Sequence, residues 1–466
     1  MAIPYDLTSS ESVRQKAERE IIWALDHAPF TRRHAIFVAA VLASLFFDYG
    51  KPITISFVLP GMTEMFGLTP ATAAYLPIAG LTGTTLGALF WGYISDRIGR
   101  RQTLLWTIGI FSVASLCGLA IHYWHSLLAC LIMGLGVGAE VPSVLAAEFV
   151  PARYRSRTLL FLGIIGWLGG YTIAAGLAAI FKSFFPETFA WRLLWLVNVL
   201  PGLLILWLRT RVIPESPRFL LHHGRIEEAR AAAEALVGPI LAHQPHHLGE
   251  EASQSAVTMA PLSKFYGRTL IVSFFSLAVG LATFGFIIWL PTLLGRMGYT
   301  GSGSSANLAL SSLIALPALA ITLPVLSRLG ARRTLIVYSL CAGLALLSLG
   351  LGAAIGLLTP PILVVITTAV FLFLTSIGAL LTLYAAEIFP TAFRGRLSGT
   401  VAAFGRVGAV TGPYLVGLWL TRGGSMSSLQ LALASLLGVA AIIMLMLRVE
   451  TQGRTLEQIG VAVAAD

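Results

Sequence analysis

Four ionisable residues lie inside stretches otherwise too apolar to hold a charge: Asp48, Lys51, Glu140 and Arg406. A charged side chain is costly within a membrane-crossing segment, so each is a candidate for proton transfer, ion pairing or binding of a charged ligand. Asp48 and Lys51 are three residues apart and share one helix face. They can neutralise each other as a structural bridge. Alternatively, Asp48 titrates as a proton carrier while Lys51 attracts an anion, and the two readings are compatible. At the helical rise, they lie about 20 and 24 Å from the start of their span, whereas Glu140 and Arg406 lie about 12 and 14 Å from the same membrane face. At that shared depth Glu140 and Arg406 pair as a gate, since leaving both unpaired would cost several kcal/mol. The alternative gives Arg406 an anionic ligand, because guanidinium meets carboxylate in a bidentate fork.

The elements that position these residues follow from composition. Of 466 residues, 56% are hydrophobic and 11% charged, and the mean hydropathy is +0.83. Apolar stretches long enough to cross a bilayer recur twelve times, at about 35–58, 73–95, 104–122, 125–148, 158–181, 191–210, 268–292, 306–327, 334–356, 361–386, 397–420 and 425–448. Backbone groups in lipid must be satisfied within the segment, so an all-α integral membrane protein is expected. Its organisation reads as an N-terminal tail 1–33, a six-helix bundle 34–210, a linker 211–267 with a surface helix near 225–236, a second bundle 268–448 and a tail 449–466.

The net charge of +10 is a matter of topology. With both termini cytoplasmic, 25 of the 31 Lys and Arg fall on the cytoplasmic side. Four fall outside (Lys182, Arg192, Arg296, Arg422) and two within spans (Lys51, Arg406), a positive-inside pattern. Nucleic acid is therefore not an expected partner. No cleavable leader precedes the first span, and Cys117, Cys130 and Cys341 all fall within spans, so no disulfide framework is implied. His243, His246 and His247 read as a solvated loop. Neither a metal nor a cofactor is expected, and an enzyme is not, because every histidine lies at or beyond a span end.

One segment occurs twice. Ala146-Ala147-Glu148-Phe149-Val150-Pro151-Ala152-Arg153-Tyr154-Arg155 returns as Ala385-Ala386-Glu387-Ile388-Phe389-Pro390-Thr391-Ala392-Phe393-Arg394, an offset of 239 (387 minus 148). Asp96-Arg97-Ile98-Gly99-Arg100-Arg101 returns as Ser327-Arg328-Leu329-Gly330-Ala331-Arg332, offset 231 (327 minus 96). Two duplicated membrane halves predict a cleft between them, the architecture of secondary transporters.

Gly92-Tyr93-Ile94-Ser95-Asp96-Arg97-Ile98-Gly99-Arg100-Arg101 resembles the loop 2–3 signature of the major facilitator superfamily. Pro214-Glu215-Ser216-Pro217-Arg218-Phe219-Leu220 and Glu450-Thr451-Gln452-Gly453-Arg454 resemble sugar-porter motifs. Gly138-Ala139-Glu140-Val141-Pro142, Trp289-Leu290-Pro291 and Ala402-Ala403-Phe404-Gly405-Arg406 are similar to the metabolite:proton symporter branch, which includes nicotinate, aromatic-acid and organic-ion transporters and the synaptic vesicle glycoprotein 2 proteins. The resemblance implies two pseudo-symmetric six-helix bundles. It also implies gate roles at one membrane face for Asp96, Arg97, Arg101, Glu148, Arg155, Arg328, Glu387 and Arg394, with Glu148 meeting Arg97 or Arg101 and Glu387 meeting Arg328 or Arg332. Spans 5, 7 and 10 border the cavity in this fold, which makes Trp167, Tyr171, Trp289 and Tyr384 ligand candidates beside Tyr49. Relatives usually carry a second acid where Lys51 stands and an arginine where Cys130 stands, so the cation has moved from span 4 to span 1.

These readings converge on a monomeric, alternating-access carrier of the inner membrane that couples protons to uptake of a small organic anion, such as an aromatic or pyridine carboxylate. Asp48 and Glu140 are its proton-coupling residues. Lys51, Arg406, Tyr49, Trp167, Tyr171, Trp289 and Tyr384 are its substrate-binding residues. The alternatives are a sugar, polyol or organic-cation carrier of the same fold, or a sensor that binds without transporting. Amides such as Asn198 and Asn307 are sparse in the spans, which weighs against sugar.

Overall fold

Long apolar segments bounded by capping residues become long helices. The computed structural model describes residues 7–137, 141–199, 202, 213–239, 265–299, 301–389 and 393–447. In the first half these form α1 (Leu7–His27), α2 (Arg32–Phe66), α3 (Pro70–Ala73), α4 (Tyr75–Ile98), α5 (Arg100–Ala114), α6 (Tyr123–Val137), α7 (Val141–Phe149), α8 (Ala152–Phe184) and α9 (Glu187–Leu196). The linker contributes α10 (Pro217–His222) and α11 (Ile226–Val237). The second half has α12 (Tyr266–Arg296), α13 (Gly301–Ala315), α14 (Ala318–Leu329), α15 (Ala331–Ala354), α16 (Pro360–Ile388), α17 (Arg394–Thr421) and α18 (Met426–Leu445).

Among the described residues, ten helices are long and apolar enough to cross a membrane. An eleventh span is broken, Gly301–Ala315 and Ala320–Leu329 meeting at 48°. Of the expected sixth span, 191–210, the first part continues α9 and residues 200, 201 and 203–210 lie outside the described residues. Residues 7–27, expected as part of a tail, form helix α1, which packs against α11 and the start of α8.

Local chemistry explains the boundaries. Thr31 caps α2 by accepting from the His34 backbone N–H, and the His34 ring accepts in turn from the Thr31 backbone. The Thr31 hydroxyl also donates to the Leu236 carbonyl of α11, 3.3 Å away, so α2 starts on the face that carries the linker. We call this the linker face and the opposite one the far face.

Small residues set the helix spacing, as expected for association in lipid. A methyl on Gly170 of α8 would come 2.8 Å from the Gly50 backbone of α2. In the second bundle the related pair, α12 and α17, touches at three levels. Methyls on Gly280, Gly408 and Gly412 would lie 2.2, 2.2 and 2.6 Å from carbonyl oxygens of Gly405, Leu277 and Leu281. The glycine runs are packing surfaces.

The bundles meet at the far face and along the middle of the molecule. The Ala71 N–H donates to Thr421 Oγ1 at 2.9 Å. The Tyr75 ring stacks on Tyr414, centroids 6.4 Å apart. Deeper in, the hydroxyls of Thr172 and Ser312 are 2.9 Å apart, joining α8 to α13.

Candidate functional site

The buried charges come first because burial is what makes them costly. Lys51 Nζ lies 3.2 Å from Asp48 Oδ1, and the Lys51 side chain is only 2% exposed against 19% for Asp48. The ammonium also sits 3.4 Å from the centroid of the Phe111 ring of α5, a cation–π contact that partly replaces lost hydration. Lys51 therefore turns into the first bundle, with Asp48 on α2 and Phe111 on α5 against its ammonium. Cys130 is buried on α6. Arg406 is half-buried on α17, and Glu140 lies outside the described residues.

The aromatic candidates separate into two groups. Trp167 and Tyr171 stand one turn apart on α8, their rings stacked at 5.8 Å. They face Phe371 of α16 across the boundary between the bundles, at 6.3 and 4.5 Å. Phe57 of α2 closes the cluster with an edge contact to Tyr171 at 5.5 Å. Trp167 stays half-buried while Tyr171 and Phe371 are fully buried. The Tyr171 hydroxyl has no hydrogen-bond partner among the described residues.

Trp289 is different. Its indole N–H donates to the Pro413 carbonyl at 2.8 Å, fastening α12 to α17 near the far face. Tyr384 is fully buried in α16, and Tyr49 is half-buried against Gly166. The fold thus brings Trp167 and Tyr171 together and ties Trp289 to α17. Phe371 and Ser312 carry no signal in the sequence, because a Phe or Ser in a span usually packs or bonds its own helix. A crevice lined by Phe46, Gly50, Thr54, Gly170, Leu194 and Asn198 lies within the first bundle. Its polar groups are already engaged, Thr54 donating to the Gly50 carbonyl at 2.9 Å and Asn198 to Leu194 at 2.6 Å.

At the linker face the expected gate residues are tied largely to the first bundle and the linker. The Glu215 carboxylate accepts the backbone N–H groups of Arg100 at 2.8 Å and Arg101 at 3.1 Å, capping the positive end of α5. Arg100 bridges to Asp96 at 2.9 Å and to Glu148 at 3.5 Å. Glu148 was expected to meet Arg97 or Arg101. It meets Arg100, because Arg97 lies over the Tyr93 ring at 4.2 Å and the α5 turn aims the intervening arginine inward. Arg155 pairs at 2.5 Å with Asp26, which Arg218 approaches at 3.4 Å. In the second bundle, Arg328 is exposed, while Arg332 and Glu387 are half-buried. The Arg394 side chain lies outside the described residues.

Two duplicated bundles, charged turns at one face and an aromatic boundary between them match a known family. The family model described as "Sugar (and other) transporter" matches residues 69–462. The chain belongs to that family. The niacin transporter NiaP of Acinetobacter baylyi is 27% identical over 95% of this chain and all of its own length. The inner membrane metabolite transport protein YgcS of Escherichia coli is 30% identical, covering 94% of this chain and 96% of the relative. The inward-open structure of the xylose transporter XylE from E. coli matches with a TM-score of 0.72 at 19% identity, covering 92% of this chain and 99% of XylE. This transporter is a multi-pass membrane protein of the major facilitator type, and not an enzyme.

Proposed function

We propose that this transporter couples proton entry to the uptake of a small aromatic or pyridine carboxylate across the inner membrane, with both termini in the cytoplasm. The observation that carries the proposal is the buried Asp48–Lys51 pair one helix away from the ring cluster Trp167–Tyr171–Phe371 at the boundary between bundles. A proton on Asp48 takes away a negative charge 3.2 Å from a cation that is 2% exposed, leaving the interior of the first bundle more positive. An anion entering the boundary relieves that charge, so proton and anion favour each other's presence. The flat rings supply a stacking wall for an aromatic acid. Arg406, half-buried on α17, supplies a further cation. The similarity to a niacin transporter supports a pyridine carboxylate, and the distribution of Lys and Arg supports the orientation.

The test is uptake into proteoliposomes. Nicotinate or benzoate should accumulate when a proton gradient is imposed and equilibrate without one. The Asp48→Asn variant should lose accumulation but keep counterflow exchange. Uptake of xylose or inositol with no effect of aromatic acids would overturn the reading in favour of a sugar carrier.

A further inference from the structure

Many threonines in these spans return their hydroxyls to a backbone carbonyl one turn earlier, as Thr54, Thr172, Thr367, Thr382 and Thr411 do, whereas Thr283 and Thr292 of α12 and Thr375 of α16 do not. Thr375 of α16 is 8% exposed, and its hydroxyl has no partner among the described residues. Its position follows from its neighbours. Phe371, one turn before it, meets Tyr171, and Ala379, one turn after it, lies 3.6 Å from the Gly163 methyl position. Residues 371 to 379 thus run antiparallel to residues 171 to 163, which sets Thr375 opposite Trp167. Trp167 is the ring of the cluster that remains half-buried, so open space adjoins it. The Tyr171 hydroxyl, fully buried and unpartnered, stands one turn further along the same boundary. Two buried hydroxyls on opposite bundles, unpartnered among the described residues, thus lie at the boundary that holds the half-buried Trp167. Buried polar groups ordinarily find partners, and each exception calls for one.

We propose that Tyr171 and Thr375 form the specificity pair of the substrate site, selecting aromatic acids whose ring carries a neutral hydrogen-bonding heteroatom, a ring hydroxyl or a ring nitrogen, over unsubstituted benzoate. This builds on the aromatic-anion reading above. Both groups are uncharged, so they match a neutral polar substituent and leave the carboxylate to the cations. A ring hydroxyl is satisfied by either as donor or acceptor, and a pyridine nitrogen accepts from one of them. Benzoate satisfies neither at the ring, and leaves buried hydroxyls unpaired in the complex as well as in the free protein.

The experiment is competition for uptake, with thermal shift alongside, using benzoate, 4-hydroxybenzoate and nicotinate on the wild type, Tyr171→Phe and Thr375→Val. The wild type should prefer 4-hydroxybenzoate or nicotinate to benzoate by about ten-fold or more. Each substitution should collapse that ratio towards one, lowering use of 4-hydroxybenzoate and nicotinate more than use of benzoate. Both variants should melt, without ligand, at or above the wild-type temperature, since each removes an unpaired buried hydroxyl. A merely structural role would lower that temperature and leave the ratio untouched. Equal use of all three acids by the wild type, or an unchanged ratio in both variants, would overturn the pair and spare the aromatic-anion reading. If no aromatic acid is bound or carried, both fall together.

Discussion

The turns before α5 and α15 are two copies of one backbone dressed with different chemistry. Gly99 has φ 97° and ψ 159°, and Gly330 has φ 83° and ψ 167°. Each glycine N–H bonds back four residues, at 3.1 and 2.9 Å, and each carbonyl accepts from the threonine four residues on, Thr103 at 2.7 Å and Thr334 at 2.6 Å. The first copy then adds Asp96, Arg100 and the Glu215 cap. The second has Ser327 and Ala331, and Ser327 bonds its own helix at the Pro324 carbonyl, 2.9 Å away. The duplication preserves what the backbone needs to turn between spans, while the charges diverge with what lies beneath each bundle. The linker and α1 supply Glu215 and Asp26 to the first.

If that division is right, the largest losses come from the shared backbone. That region of φ and ψ is essentially closed to residues with a Cβ, so Gly99→Ala and Gly330→Ala should each cost about 2–3 kcal/mol. The cost should be greater at Gly99, where the methyl would lie 2.4 Å from Glu215 Oε2. Melting in detergent by size exclusion measures both, and a tolerated Gly330→Ala would break the equivalence. Lys51→Met comes next or level with these, at about 3 kcal/mol, because Asp48 loses its cation within a bundle. Replacing both residues, as Asp48→Leu with Lys51→Met, should restore most of the loss while abolishing proton-driven accumulation. The matching helix α12 has no charge between Arg268 and Arg296, which makes this pair a second asymmetry of the halves.

Glu215→Ala should cost about 2 kcal/mol, since two backbone donors at the start of α5 lose their acceptor. Smallest is Asp96→Ser, which copies the second turn into the first. Asp96 is 71% exposed, and its pair with Arg100 is worth less than about 1 kcal/mol. A large loss of flux at unchanged melting temperature would then assign Asp96 to gating and sharpen the contrast.

The sequence makes the spans, the two halves and the repeated turns legible, because hydropathy and a fixed offset are local signals. The Asp48–Lys51 pair is legible too, since three residues along one helix bring them together whatever surrounds them. Its setting is not, because Phe111 lies on another helix sixty residues away. Glu148 finds Arg100 because the turn geometry, and not the spacing, decides which of three nearby arginines points inward. Asp26 lies in a stretch that reads as polar tail, and gives no sign of its role with Arg155. Thr375 escapes notice because a threonine in a span normally bonds its own helix, and only the placement of α16 against α8 shows that it does not.

The contact of α12 with α17 has a mechanical consequence. Where backbones touch at Gly280, Gly408 and Gly412, no long side chains lie between them to yield, and Trp289 bolts the far end to Pro413. The pair is a stiff strut. From the bolt at Trp289 to its start at Tyr266, helix α12 runs 23 residues (289 minus 266), or about 35 Å, so a tilt of about 10° at the bolt sweeps the other end by about 6 Å. A lever of that length turns a slight rearrangement at the far face into a displacement of about half the width of a helix at the linker face.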